Sequence, residues 1–404
     1  MMTQSAPRPP RDAPHVLIIG GGGTGGALAH DLTLRGVRVT LLERGEFTSG
    51  TTGRHHGLLH SGARYAVADK ESAVECIEEN QLLRRICPGS FEENDGLFVA
   101  ITDEDMATYD DFVRGCTECE IPFTELTPAE AVRLEPMLNP EVKAAVRVPD
   151  GTMDAMRMPL RFLATAKHHG ATLMNYVETV DLLVEGGDVK GAVVHDRVSG
   201  ADGEVRADLV VNATGPWSEQ VAEMAGAHVP IQPSPGVLVA VRGRMSNMVL
   251  NRMHRSGDGD IIVPQRALSV IGTSSWTVED PDDLDVPEEH VRRMYEEGAK
   301  LIPAIANAPL RAAWSAARPL IGSDEAAGSG RELSRTFKTI DHANAGIGNF
   351  VTITGGKATT LRGMAETCAD VVCGKLGVNE PCRTREFVTL PHTAFYAEPE
   401  RRLA

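Results

Sequence analysis

From residue 15 onward the apolar positions fall into two alternating patterns. Residues 15–20 form a continuous, β-branched apolar run of the kind that is buried on both faces of a parallel sheet. Glycines follow, then a helical pattern over 24–35 that Gly36 ends, and a second strand over 37–43. Strand, helix and strand within about 30 residues make a β-α-β unit, the start of a nucleotide-binding domain. After a polar, glycine-containing loop at 45–64, residues 71–86 and 103–119 carry helical periodicity with a strand at 96–101 between them, a set suited to form a cap.

A strand before Asp150, a helix at 156–169 closed by Gly170, strands near 171–198 and a strand at 208–212 predict a return to the first domain. Between residue 230 and about residue 335, short strands such as 237–241 and 268–272 accompany one charged helix at 287–302, which predicts a second, mixed or antiparallel layer. Thr354-Gly355-Gly356 then leads into a last helix at 357–375, and a short polar tail follows Pro391. Residues 1–13, rich in Pro and Arg and without an apolar leader core, are expected to be a disordered tail.

The expected fold class is α/β: a discontinuous Rossmann-type domain (14–80, 146–229, 336–392) beside a substrate or cap domain with a mixed or antiparallel sheet (81–145, 230–335), and a tail at 393–404. A chain of 404 residues exceeds what one core usually supports, which agrees with two domains. The net charge of −16 argues against nucleic acid or anionic lipid as a partner, so any anion site must be local. Seven cysteines without a repeating spacing fit a reducing compartment, and no apolar run reaches the length of a membrane span. The expected location is cytoplasmic.

Gly20-Gly21-Gly22-Gly23-Thr24-Gly25 satisfies G-x-G-x-x-G at Gly20, Gly22 and Gly25, directly between a strand and a helix. Only residues without Cβ let the main chain approach a diphosphate there, where amides and the helix dipole face the anion. Glu43 ends the second strand at the offset where a carboxylate accepts hydrogen bonds from a ribose. The fingerprint by itself does not separate FAD from NAD.

Longer motifs separate them. The segment Thr51-Thr52-Gly53-Arg54-His55-His56-Gly57-Leu58-Leu59-His60-Ser61-Gly62-Ala63-Arg64-Tyr65 resembles the flavin-contacting loop of FAD-dependent glycerol-3-phosphate dehydrogenases, most closely the A subunits of the anaerobic bacterial enzymes. Val148-Pro149-Asp150-Gly151-Thr152, Val211-Asn212-Ala213-Thr214-Gly215-Pro216-Trp217, Ala317-Arg318-Pro319-Leu320 and Ile353-Thr354-Gly355-Gly356-Lys357 also resemble family motifs, in the family's order. The resemblance implies a glutathione-reductase-like FAD domain and a substrate domain, as in the D-amino-acid-oxidase superfamily. It implies hydride transfer from C2 of glycerol 3-phosphate, a small phosphorylated polyol, with electrons leaving for a quinone or for partner subunits that would hold the chain at the membrane periphery. Longer A subunits continue into a cysteine-rich domain where this chain stops, so a different electron exit is an open expectation.

The resemblance also implies site residues. Besides the glycine turn, Thr24 and Glu43, the cofactor would meet Arg44, Thr51, Thr52, Arg54, His55, Gly57, Leu58, Thr179, Ala213, Gly215, Trp217, Gly355, Gly356, Lys357 and Thr359, with His56 beside them. Arg318 would hold the substrate phosphate, for which its planar fork is suited. Arg64, Tyr65, Arg335 and Lys357 would line the substrate space, with Lys357, His60 and Arg335 in catalytic roles. Lys357 could stabilise charge on the flavin or, deprotonated by burial, act as base, and both roles stay open. In a chain with 56 acidic residues the plain alternative for each arginine is a surface ion pair.

Membrane-bound relatives carry a lysine and a histidine around the segment written here Pro235-Gly236-Val237-Leu238, which leaves the base and the choice of polyol open. Cys116 and Cys119 spell C-x-x-C inside a predicted helix with no second pair, a spacing that chance explains against redox or metal chemistry; Trp276 and Trp314 have the core as their default place, and no metal site is expected. Competing readings are an oxidase, an enzyme for another polyol phosphate, a 2-hydroxy acid or an amino acid, and a flavin-bound scaffold protein of a larger complex.

Overall fold

The computed structural model describes residues 8–254, 257–322 and 336–397. Its first sheet has six strands in the order Phe337–Asp341, Phe350–Gly355, Leu209–Asn212, His15–Ile19, Arg38–Glu43, Thr172–Asn175. All neighbours run parallel except the outer pair Phe337–Asp341 and Phe350–Gly355. Alternation along the first strand decides what each face meets. Val16 and Ile18 pack with the helices Gly23–Leu34, Arg157–His168 and Leu361–Leu376. Leu17 and Ile19 point the other way, onto a three-stranded antiparallel sheet formed by Val177–Glu185, Asp188–Asp196 and Asp202–Arg206. Both faces are therefore covered, which is why this strand reads as an unbroken apolar run.

The second large sheet has eight strands: Leu310–Ile321, Ile231–Arg242, Leu268–Gly272, Ile261–Gln265, Val249–Arg252, Gly96–Ala100, Ala144–Val148 and Thr124–Leu126. It is mixed, because Val249–Arg252 runs parallel to Gly96–Ala100 while its other pairs are antiparallel. Leu97 and Val99 join the core under helix Glu288–Leu301, and Phe98 and Ala100 face the helices Lys70–Ile86 and Tyr109–Glu118. Each such large buried side chain contributes about 1.5–3 kcal/mol. No helix among the described residues is long and apolar enough to cross a membrane.

Several expected elements need correction. The single helix over 103–119 is two, Asp103–Met106 and Tyr109–Glu118, because the Thr108 hydroxyl lies between the Asp105 and Met253 carbonyls, at 2.8 and 2.9 Å. The short strand at 237–241 is the central part of the long strand Ile231–Arg242. The last helix begins at Leu361, after a 3-10 turn Ala358–Thr360, so Lys357 stands before that turn instead of in the helix. Residues 392–397, expected within the polar tail, are packed: Phe395 is buried, its ring edge-on to Phe47 at 5.6 Å. At the other end, residues 8–13 include a turn, Ala13 N to Pro10 O, and the Arg11 carbonyl accepts from Arg38. Cys116 and Cys119 are both buried, and burial pushes the Cys116 thiol up to about 12.

Candidate functional site

One cavity of about 1590 Å³ runs from the glycine turn to Arg318 and Lys357. At its first end the turn is held by close backbone approach. Gly20, at φ +109°, sits so near strand Leu209–Asn212 that a Cβ would lie 2.6 Å from the Ala213 carbonyl oxygen. A Cβ on Gly25 would lie 2.0 Å from the Gly20 carbonyl oxygen. The Thr52 hydroxyl accepts from Gly23 N at 3.0 Å, which stacks the 3-10 turn Thr51–Arg54 on the start of the helix. The Thr51 hydroxyl reaches the carbonyl of Ala317 at 2.6 Å and so ties this wall to the second sheet.

Glu43 does more than the sequence suggested. Its two oxygens accept from Gly21 N and Gly45 N, each at 2.8 Å, so the carboxylate shapes the turn as well as lining the cavity. Burial raises its pKa, and the two amide bonds oppose that shift. Arg44 stacks over Trp217 at 4.5 Å and pairs with Asp282. Two buried polar atoms on this stretch, Thr179 Oγ1 and Trp217 Nε1, have no hydrogen-bond partner among the described residues. Such atoms are costly unless a ligand or water meets them. A cradle only glycine can form, a cavity-lining carboxylate and two polar atoms without a partner among the described residues, along one wall, suit a dinucleotide cofactor.

At the far end the Arg318 guanidinium is fixed by neutral oxygens. Nε donates to Ser234 O at 3.1 Å, Nη1 to Thr273 Oγ1 at 3.2 Å, and Nη2 to Pro235 O, Ser274 O, Ser234 Oγ and Ser275 Oγ at 2.9–3.2 Å. These bonds orient the fork at the cavity wall. Lys357 Nζ donates to Ser72 Oγ at 3.0 Å, lies 3.5 Å from Glu75 Oε2, and sits 5.3 Å from the centre of the Tyr65 ring. The His60 ring is 5.4 Å from that of Tyr65.

The three histidines of the loop are neutral. Burial holds His55 down to about 4. Burial, with the neighbouring His55, Arg64 and Arg318 adding to the shift, holds His56 down to about 3. His60 lies well below its ordinary value for the same first reason, helped by His56, Arg64 and Lys357. His55 Nδ1 accepts from Gly57 N and His56 Nδ1 from Leu58 N, so each neutral ring carries its proton on Nε2. Both rings line the cavity, which gives it two donors without added charge.

Arg64 is paired within the cavity. It lines the cavity, but its Nη2 is bonded to both oxygens of Asp260, at 2.6 and 2.5 Å, and Asp260 is itself buried and cavity-lining. The charge assigned to substrate is therefore compensated.

Of the expected residues, Gly20, Gly22, Thr24, Glu43, Arg44, Thr51, Thr52, Arg54, His55, Leu58, His60, Arg64, Tyr65, Thr179, Ala213, Gly215, Trp217, Arg318, Gly355, Gly356 and Lys357 line the one cavity. Gly25, Gly57 and Thr359 stand behind its wall. Gly57 is packed against Gln265, and the Thr359 hydroxyl accepts from His60 N at 3.0 Å. Arg335 lies outside the described residues. Trp314, expected in the core, donates its indole N–H to Arg54 O at 2.6 Å, while Trp276 packs edge-on to His290. Sequence reasoning missed Asp260, Thr273, and the Ser72 and Glu75 that hold Lys357. Among the described residues no His, Cys, Asp and Glu group is placed to hold a metal.

Residues 15–370 match the family model described as FAD dependent oxidoreductase, DAO. The chain is 42% identical over 386 residues to the A subunit of the anaerobic glycerol-3-phosphate dehydrogenase of Escherichia coli K12, covering 95% of this chain and 71% of that one. It is 44% identical over 393 residues to the A1 subunit of the anaerobic glycerol-3-phosphate dehydrogenase of Haloferax volcanii, covering 93% and 66%. Among solved structures it is similar to the glycerol-3-phosphate dehydrogenase of Bacillus halodurans complexed with FAD, with a TM-score of 0.71 at 24% identity, covering 94% and 68%.

Proposed function

The chain belongs to the DAO family of FAD dependent oxidoreductases, and on that premise we propose that it oxidises sn-glycerol 3-phosphate to dihydroxyacetone phosphate and passes the electrons to a quinone or to partner subunits. The observation that carries this reading is the continuity of one cavity from the glycine cradle to Arg318 and Lys357. FAD, when bound, supplies the acceptor for the hydride from C2. The residues that would hold it are the cradle, Glu43, Thr51, Thr52, His55, Thr179, Trp217 and the Gly355-Gly356 turn, with residues 14–80, 146–229 and 336–392 as the cofactor domain and 81–145 and 230–335 as the substrate domain.

In this reading Arg318 binds the phosphate, because its planar fork is held in place by Ser234 and Ser275 and lines the cavity. His60 is unprotonated at neutral pH and able to receive the substrate hydroxyl proton. Lys357, braced by Ser72 and Glu75, holds the hydroxyl or the developing charge beside it. The partner proposal draws on the names of the two relatives, both A-type subunits.

The test is a visible spectrum of the purified protein followed anaerobically. A flavin band bleached by glycerol 3-phosphate, and not by glycerol, glycine or 2-hydroxyglutarate, is the expected result. A coloured protein bleached by an unphosphorylated substrate alone would overturn the substrate assignment, and a colourless one that refuses FAD would overturn all of it.

A further inference from the structure

We propose that Thr359 is a positioning residue for the reaction proposed above: its hydroxyl holds the backbone of His60 and so sets the proton acceptor in place relative to Lys357. The proposal rests on that reaction and adds to it a residue that touches neither substrate nor cofactor.

The backbone of His60 carries it. Strand Leu58–Leu59 pairs antiparallel with Gly151–Met153, Leu58 against Thr152 and Leu59 against Gly151. His60 follows directly, so its N–H and C=O fall outside this ladder and need other partners. Side chains from two distant parts of the chain supply them. His60 N donates to the Thr359 hydroxyl at 3.0 Å, and the His60 carbonyl accepts from Asn80 Nδ2 at 3.0 Å. The next peptide is held as well, with Ser61 N donating to the buried carboxylate of Asp150 at 2.7 Å. Thr359 and Asn80 are buried, at 0% and 1% exposure, so water does not compete for either bond.

Both clamps come from the elements that hold Lys357. Asn80 lies in helix Lys70–Ile86, whose Ser72 hydroxyl accepts from Lys357 Nζ at 3.0 Å. Thr359 lies in the turn Ala358–Thr360, which begins directly after Lys357, and the Thr360 hydroxyl accepts from Lys357 N at 3.3 Å. One frame therefore sets both residues. The His60 ring stands 5.4 Å from the Tyr65 ring, and Lys357 Nζ lies 5.3 Å from the centre of that same ring. The substrate hydroxyl gives its proton to His60 as hydride leaves C2, so the two side chains must be correctly placed together. Misplacement by about 1 Å can lower a rate about a hundredfold. The family resemblance set Thr359 against the cofactor, whereas its hydroxyl is engaged behind the cavity wall by His60.

The test compares Thr359→Val, which keeps the shape and loses the hydroxyl, with Thr359→Ser, which keeps the hydroxyl. Titration of each apoprotein with FAD gives the cofactor affinity. Anaerobic mixing of the flavin-loaded protein with glycerol 3-phosphate gives the limiting rate of flavin reduction and the half-saturating substrate concentration. Thr359→Val is expected to lower the limiting rate about tenfold to a hundredfold while half-saturation and FAD affinity stay within about twofold, and Thr359→Ser to recover most of the rate. In a His60→Ala background the valine substitution should lower the rate no further, because its effect passes through that side chain.

If Thr359→Val does not fold, Asn80→Ala releases the carbonyl of His60 and should give the same split, again abolished in the His60→Ala background. An unchanged limiting rate, a loss of FAD affinity that accounts for the slower rate, a serine variant as slow as the valine one, or an undiminished effect without the His60 ring would each overturn the proposal. A His60→Ala protein as fast as the wild type would overturn the underlying role of His60, and the proposal with it, so the two failures are told apart.

Discussion

Arg318 and Ser234 face each other across the antiparallel pair Ile231–Arg242 and Leu310–Ile321 and are joined twice, Nε to the Ser234 carbonyl at 3.1 Å and Nη2 to its hydroxyl at 3.2 Å. The bonds need a planar fork, which lysine lacks. Arg318→Lys should therefore raise the KM for glycerol 3-phosphate although the charge is kept, and Arg318→Ala should weaken binding by roughly 2–5 kcal/mol, the range for losing one partner of a buried charge pair. The flavin-to-protein ratio should stay at the wild-type value in both, because Arg318 stands at the far end from the cradle. Unchanged KM in the alanine variant would remove Arg318 from the substrate site.

The cradle glycines should differ sharply in tolerance. A Cβ on Gly25 would meet the Gly20 carbonyl oxygen at 2.0 Å, a backbone clash that no rotamer relieves. The nearest atom to a Cβ on Gly22 is Thr52 Oγ1 at 3.2 Å, and that side chain can shift. Gly25→Ala is expected to destabilise the apoprotein by about 3 kcal/mol or more, whereas Gly22→Ala stays within about 1 kcal/mol. Urea unfolding of the two apoproteins separates them, and similar midpoints would contradict the geometry.

The half of the molecule that holds the cradle was readable because its constraints are local: one strand, one glycine turn and one helix within about 30 residues. The eight-stranded sheet was blurred because its pairings are remote. Gly96–Ala100 lies beside Val249–Arg252, and the start of strand Ile231–Arg242 hides behind Pro233 and Pro235, which break the usual strand pattern. Their carbonyls still accept from Val278 N and Trp276 N. Asp260 went unnoticed for the same reason, since Arg64 is 196 residues away in sequence. The motifs named residues that converge on one cavity, but they did not tell that Arg64 is paired with a carboxylate there.

Arg362 has a 1% exposed side chain and is held by Glu79, by Glu366 at 2.7 Å and by the Thr384 hydroxyl at 3.0 Å. Its Nε lies 2.9 Å from Glu79 Oε2, which locks helix Lys70–Ile86 to helix Leu361–Leu376 behind Lys357. Removing Glu79 leaves the buried guanidinium with Glu366 still beside it but takes away its Nε and Nη2 acceptor, so Glu79→Ala should cost about 1–3 kcal/mol. The double variant Glu79→Leu with Arg362→Met should recover most of it. A double-mutant cycle in urea measures the coupling, and additive losses would show that the pair is not energetically joined.

His30 lies in helix Gly23–Leu34, fully buried between Phe162 and Phe387 at 5.5 and 5.7 Å, and neither ring nitrogen has a hydrogen-bond partner among the described residues. Burial holds its pKa down to about 3, with His169 and Arg362 adding to the shift. The folded value is below the unfolded value of 6.5, so between these limits the unfolded chain binds the proton more readily. Stability from this group is present above pH 6.5 and is lost as pH falls, reaching a cost on the order of 3–5 kcal/mol near pH 3. His30→Leu abolishes that titration and removes an unsatisfied N–H, so the variant should match or exceed the wild type at neutral pH and gain on it steadily in acid. Unfolding free energies of both apoproteins at about pH 8, 6 and 4.5 measure the gap, and a gap that stays constant across that range would mean the ring is paired or free to take up a proton in the folded protein.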